Sequence, residues 1–239
     1  MARKIKVDNA VLKRRRRKIE RERIEFLALR TFILVVCEGS KTEPKYFQAV
    51  RDTLPKNVLE TVSVDIIGTG MNTLSVVERA QEEVEEAHRI RNREFDQVWV
   101  VIDRDSFPAD RFNNAIFKCQ GLNYHCAWSN EAFELWYVLH FQYRNTAMSR
   151  TDYAAVITDE INQRIAQTDA PSISTFTYQK NDDRMYALLQ EFGDENSAIS
   201  NAEKLLAGFP DTRYADHNPC TTVHELILSI NRLRNNELE

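Results

Sequence analysis

From residue 30 onward the chain reads as an α/β protein built on a parallel sheet. Three observations predict this. Strand-like and helix-like runs alternate, the strand-like runs are apolar throughout, and two of them stop abruptly at acidic residues. A strand with no polar alternation is buried on both faces, the mark of a parallel sheet covered by helices on both sides.

The first strand-like run, near 31–37, is Phe32-Ile33-Leu34-Val35-Val36-Cys37, and it ends at Glu38-Gly39-Ser40-Lys41-Thr42-Glu43. Gly39 lets the chain turn sharply into a helix near 43–53. Pro44 suits that helix's first turn, and Ser40 or Thr42 is placed to cap it. A second strand near 62–67 leads through Gly68-Thr69-Gly70 into a long helix near 72–92. Leu74, Val77, Ala80, Val84 and Ala87 mark its inner face, with acidic residues between them. Two glycines without a Walker lysine read as a left-handed turn sooner than as a phosphate cradle.

The third strand, near 97–103, is the most hydrophobic, and it stops at Asp103-Arg104-Asp105. A helix near 109–119 and a strand near 123–128 follow. Ser129-Asn130-Glu131 then opens a segment in which Glu134 lies among Phe133, Leu135, Trp136, Val138 and Leu139. Beyond residue 141 the pattern turns helical, near 151–167, 183–191, 196–207 and 221–236. Loops holding Pro171, Gly193 and Pro210 separate these helices, and Ile173–Thr177 is the one strand-like stretch. The predicted organisation is therefore a basic arm or helix (1–29), an α/β core (30–141) and a helical extension packed on it (142–239).

Charge is distributed unevenly. Residues 1–30 hold 12 Lys and Arg against 4 Asp and Glu, leaving 20 against 32 in the other 209 residues. The run Lys13-Arg14-Arg15-Arg16-Arg17-Lys18 can neutralise nucleic-acid phosphates without reading sequence. A solvated helix or a docking element for an acidic partner are the other readings. Cys37, Cys119, Cys126 and Cys220 show no zinc-type spacing, and the five histidines form no ligand pair. No secretory signal and no apolar run near the ~20 residues of a membrane span is visible. The expectation is a cytoplasmic protein with reduced thiols and no membrane association.

The acids carry the chemistry. Carboxylates placed together raise one another's pKa unless a cation intervenes. Acids at the carboxyl ends of parallel strands lie where open α/β sheets build their sites. In extended geometry Asp103 and Asp105 point the same way, and hard oxygen ligands select Mg²⁺ or Mn²⁺. Glu38, Glu43 and Glu131 are further candidate ligands, with Glu134 beside them. Plain structural readings stand next to these. Glu38 ends a strand, Glu43 favours a helix's first turn, Asp103 and Asp105 can pair with Arg104 or Arg111, and Glu131 and Glu134 can sit in ion pairs. Lys180, in Tyr178-Gln179-Lys180, is a candidate phosphate contact or ordinary solvated surface.

An acid with glycine after the first strand, then DxD after a later one, resembles the Toprim domain of topoisomerases, bacterial primases and OLD-family nucleases. More closely, Val36-Cys37-Glu38-Gly39-Ser40-Lys41-Thr42-Glu43-Pro44-Lys45-Tyr46-Phe47 resembles the signature of the RloB family. So do Asp103-Arg104-Asp105, Ser129 to Trp136, Tyr178-Gln179-Lys180 and Thr221 to Leu226, a resemblance spanning roughly residues 30–235. It implies a Toprim-like sheet, with Glu38 as general acid/base or metal-linked glutamate and Asp103 and Asp105 as metal ligands. Glu43 resembles the second acid of OLD-type nucleases but is offset by one position. The implied function is a Mg²⁺-dependent nuclease acting on DNA or on RNA such as tRNA, in prokaryotic anti-phage defence and with an ATPase partner. The alternative is a non-catalytic nucleic-acid-binding subunit that regulates such an ATPase. Topoisomerase and bacterial-type primase activities are not expected, since the sequence shows neither room for a topoisomerase's separate domains nor a zinc-ligand cluster.

Overall fold

A computed structural model describes Lys13, Arg17, Lys18 and residues 31–70, 72–105 and 108–234. Arg14, Arg15 and Arg16 lie outside the described residues; Lys13, Arg17 and Lys18 are exposed and helical. The protein is a mixed α/β structure whose five-stranded, mostly parallel sheet is flanked by helices, consistent with a Toprim-like fold.

The strands are β1 (Thr31–Cys37), β2 (Val62–Gly68), β3 (Gln97–Asp103), β4 (His125–Asn130) and β5 (Cys220–Thr221), in the spatial order β2-β1-β3-β4-β5. The first four are parallel, with Ile33 opposite Gln97 and Trp99 opposite His125. The short β5 runs antiparallel to β4. Ile33–Cys37 and Val98–Ile102 are wholly buried, as their unbroken apolar character predicts.

The helices among the described residues are α1 (Thr42–Asp52), α2 (Lys56–Thr61), α3 (Thr73–Arg91), α4 (Ala109–Gly121), α5 (Glu134–Leu139), α6 (Arg150–Gln167), α7 (Met185–Phe192), α8 (Glu195–Ala207) and α9 (Val223–Arg234). The chain leaves β1 toward β2 on one side and returns to β3 on the other. Right-handed crossovers therefore put α1 on one face and α3 on the opposite one. There α3 packs on β1 and β3 and lies beside α4, while α1 packs on β2 and α7.

Tyr46, Phe47, Phe133, Tyr137 and Tyr186 form an aromatic cluster joining α1, α5 and α7, with ring centroids 5.4–5.8 Å apart. Trp136 Nε1 donates to the Tyr46 hydroxyl at 2.7 Å inside it. One continuous apolar cluster runs from Ile33 through Ile157 and Leu189 to Leu233, so sheet and later helices share a core. Among the described residues no helix is long and apolar enough to cross a membrane.

Several local expectations shift. Buried Val76 and Val77 set the inner face of α3, and Leu74 is exposed. The helix after Ser129 starts at Glu134, leaving Glu131 in the loop before it. Residues 173–177 form no strand. The late strand is β5, a two-residue segment held to β4 by hydroxyls. Trp128 N–H donates to Thr222 Oγ1 at 2.9 Å, and Ser129 and Thr221 hydroxyls lie 2.9 Å apart.

Candidate active site

Strand order reverses between β1 and β3, and their carboxyl ends form the crevice where open α/β sheets take ligands. Glu38 and Asp103 meet there. The Glu38 N–H donates to the Val101 carbonyl at 2.9 Å, prolonging the β1–β3 pairing by one residue. Its Oε2 accepts the Asp103 N–H at 3.0 Å, and its Oε1 accepts the hydroxyl of buried Thr73 at 3.2 Å. Thr73, the first residue of α3, thereby orients the acid that follows β1. Burial still raises Glu38 from its ordinary value to about 7, outweighing those two hydrogen bonds, with Glu43 and Asp105 pushing the same way.

Glu43 lies one turn before Phe47, on the face of α1 that also buries Tyr46 and Val50. It is 8% exposed, and its Oε2 has no hydrogen-bond partner. Burial raises its pKa; Glu134 adds to the rise, while Lys180 and Arg150 oppose it. Gly39 makes room for this carboxylate. A Cβ there would overlap the Glu43 carboxylate as it stands, so what the glycine accommodates is the close approach of that side chain and not a left-handed turn. Neither Ser40 nor Thr42 caps α1. Thr42 instead donates to Asn181 Oδ1 at 2.8 Å and Lys45 Nζ to the Asn181 carbonyl at 2.9 Å, fastening the Lys180 loop against α1.

The Asp103 side chain is 13% exposed. Its Oδ2 accepts the Phe133 N–H at 3.2 Å, and its buried Oδ1 has no partner. Burial raises this carboxyl well above the usual range, reinforced by Glu43 and Glu134. Asp105 adopts a left-handed backbone (φ 40°), so simple strand alternation does not align it with Asp103. Both nonetheless face one cation. Arg150, the first residue of α6, reaches Asp103 Oδ2 at 3.7 Å and Asp105 Oδ2 at 3.3 Å.

The backbone locks the segment carrying the DxD to the segment after β4. Arg104 N–H donates to the Ser129 carbonyl at 2.8 Å, and Asp105 N–H to the Glu131 carbonyl at 3.2 Å. Glu131 thus contributes a backbone acceptor, and its half-buried side chain acts electrostatically on Tyr153. Tyr178 donates to Glu134 Oε1 at 2.8 Å. Exposed Lys180 is felt by Glu43. The structure thus gathers Glu38, Glu43, Asp103 and Asp105, with Glu134 and Lys180 alongside. Arg150, Thr73 and Asn181 went unread in the sequence. An arginine opening a helix gives no signal of its own, and Thr73 reads as an ordinary helix-start residue.

The oxygen donors and the two unpartnered buried carboxylate oxygens suit a hard divalent cation. As the side chains stand, no three Asp, Glu, His or Cys among the described residues converge on a point where they could hold one ion. The Arg150 guanidinium lies against two of the acids.

The RloB-like protein family model matches residues 33–230, which takes in every one of these site residues and most of the chain. The chain belongs to the RloB-like family. No curated protein and no solved structure matches it. In this RloB-like protein Glu38 follows β1, Asp103 ends β3, and the Tyr178-Gln179-Lys180 segment lies beside them, with Tyr178 hydrogen-bonded to Glu134.

Proposed function

We propose that this RloB-like protein is a Mg²⁺- or Mn²⁺-dependent, Toprim-type nuclease hydrolysing phosphodiester bonds of DNA or RNA. One observation carries the reading most. Glu38 is hydrogen-bonded to the backbone of Asp103 at the strand-order reversal, and these two acids share a crevice with Glu43 and Asp105. Carboxylates concentrated there at a cost to the fold suit a catalytic or metal role.

Glu38, Asp103 and Asp105, with Glu43 and Glu131, would hold the metal. When bound, the metal supplies charge to polarise the scissile phosphate and to activate water. Thr73 and the Asp103 N–H aim Glu38 into the crevice, and a carboxyl titrating near 7 can exchange a proton there at neutral pH. Phe133 N–H holds Asp103 in place. Lys180 and the basic residues of the arm, Arg17 and Lys18 among them, supply positive charge for nucleic-acid phosphates.

The test is cleavage of plasmid, single-stranded DNA and total RNA with Mg²⁺ or Mn²⁺. Glu38→Gln and Asp103→Asn should each reduce cleavage by about 10³-fold or more. Cleavage unchanged by either substitution would remove the site assignment. The resemblance adds a role as effector in prokaryotic anti-phage defence beside an ATPase partner, and we extend the proposal to it.

A second reading has its own observation. Arg150 already places a cation against Asp103 and Asp105, as in a protein that binds nucleic acid without cutting it and regulates the ATPase. Nucleic-acid binding with no cleavage, with or without the ATPase, would favour it.

A further inference from the structure

We propose that Arg150 is an exchangeable counter-ion of the acid cluster: its guanidinium holds Asp103 and Asp105 until a divalent cation takes those carboxylates, and the released guanidinium then contacts a phosphodiester. The inference rests on the metal-dependent reading above and adds a residue and a switch to it.

The placement of Arg150 is unfavourable for its own helix. A cation in the first turn opposes the positive end of the helix dipole. The start of α6 is already satisfied by Ser149 and Asp152, which cap it reciprocally. Arg150 therefore serves the acids and not the helix.

Its hold on them is loose. The contacts of 3.7 and 3.3 Å exceed those of Arg184 with Asp182 (2.7 Å) and Arg213 with Asp211 (2.8 Å). Charge-assisted pairs ordinarily close to about 2.7–2.9 Å. Its side chain is 36% exposed, which gives it a route outward, and its buried Nε has no partner.

The cluster is also crowded with negative charge. Glu38, Glu43, Asp103, Asp105 and Glu134 act on one another, with Arg150 opposing the rise at Glu43 and Asp103 and Lys180 opposing it at Glu43. Glu43 Oε2 and Asp103 Oδ1 stay buried without partners even with Arg150 in place. An entering divalent cation would meet those oxygens and repel the guanidinium. A planar fork that fits two carboxylates fits a phosphate equally well.

Calorimetric titration of the full chain with Mn²⁺, and with a dinucleoside phosphorothioate in Ca²⁺, tests this without relying on turnover. Arg150→Gln should bind Mn²⁺ about fivefold more tightly, because its internal competitor is gone. It should bind the phosphorothioate about tenfold more weakly. Arg150→Lys keeps the charge but loses the fork. It should bind Mn²⁺ like the wild type yet still lose phosphorothioate affinity, and it serves as the probe should Arg150→Gln misfold. Unchanged or weaker Mn²⁺ binding by Arg150→Gln overturns the exchange, and undiminished phosphorothioate binding overturns the phosphate contact. A wild-type chain and variant that both fail to bind Mn²⁺ overturn the metal-dependent reading itself, and the exchange falls with it.

Discussion

Asp211 and Asp103 each lie beside an arginine, and the molecule treats them in opposite ways. Asp211, exposed on the loop after α8, accepts His217 Nε2–H at 2.9 Å and three Arg213 N–H groups, one backbone and two guanidinium, at 2.9, 2.8 and 3.2 Å. These bonds hold its carboxyl well below the usual range. Asp103 has one backbone N–H, a guanidinium no nearer than 3.7 Å and acidic neighbours, and its carboxyl is pushed well up. Asp152 and Asp194 at helix starts follow Asp211, whereas Glu38 and Glu43 follow Asp103. An acid that fastens the fold is surrounded by donors. An acid of the candidate site is held by packing and left short of positive charge, so the fold bears its ionisation as a cost.

Crowding at the carboxyl edge gives the largest expected effect. In Gly39→Ala the new methyl would overlap the buried Glu43 carboxylate. The substitution should cost about 2–3 kcal/mol in urea unfolding. Adding Glu43→Ala should recover most of that loss. Strict additivity of the two substitutions would show that packing against Glu43 is not what Gly39 permits.

Glu38 gives the next largest effect, and its sign separates the two kinds of acid. Its carboxyl is raised from 4.5 to about 7 in the folded protein. Between those values the folded chain binds more protons than the unfolded one. The contribution of Glu38 is therefore fully present below pH 4.5 and is lost as pH rises through 7. Glu38→Gln should stabilise the protein by roughly 2 kcal/mol at pH 8, after allowance for partial solvent screening, and leave it unchanged at pH 4. Thermal unfolding across that range decides it. Destabilisation at pH 8 would place Glu38 with the fastening acids.

The loop over the site should respond less. Thr42→Val removes the 2.8 Å hydrogen bond to Asn181 and should cost about 1 kcal/mol. Faster hydrogen exchange or proteolysis at residues 178–182 would show the loop loosening. No change there would mean that Lys45, which also holds Asn181, suffices.

The two sets of residues also differ in how far the sequence disclosed them. Glu38 and Asp103 are legible because each ends an unbroken apolar run, and a buried parallel strand must deliver its last side chain to the sheet's carboxyl edge. Glu43 is half legible. Its spacing to Phe47 sets its face, yet only the packing of α1 on α5 and α7 shows that the face is buried. Arg150 and Asn181 are illegible in principle, since their roles depend on where the later helices bring the chain back over the sheet. The pairing of β5 escapes for a similar reason, because two residues have no periodicity and their hydroxyl contacts are made across the fold. Val77 borders both Leu74 and Val76 on the helix surface, so a stripe through Val77 can extend to either side, and only the packing of α3 on the sheet selects Val76.

The smallest effect lies on the exposed side of the comparison, where the donors can be counted. Asp211→Asn keeps the shape but gives up the charge that orders Arg213 and that accepts the His217 N–H hydrogen bond. His217 is buried, stacked on Phe209 at 4.6 Å and packed against Trp128, so aromatic contact holds its ring without the aspartate. The substitution should therefore lower the melting temperature only modestly at pH 7. Because the folded-state carboxyl is depressed, this contribution is present above the ordinary aspartate range and is lost as pH falls through the lowered value. Variant and wild type should converge only in strong acid. Glu38→Gln predicts the opposite sign: its curves meet near pH 4, but as pH rises the variant melts above the wild type, whereas Asp211→Asn melts below it. If both variants fell on the same side of the wild type at pH 8, acids that fasten and acids left short of charge would not be distinct classes in this protein.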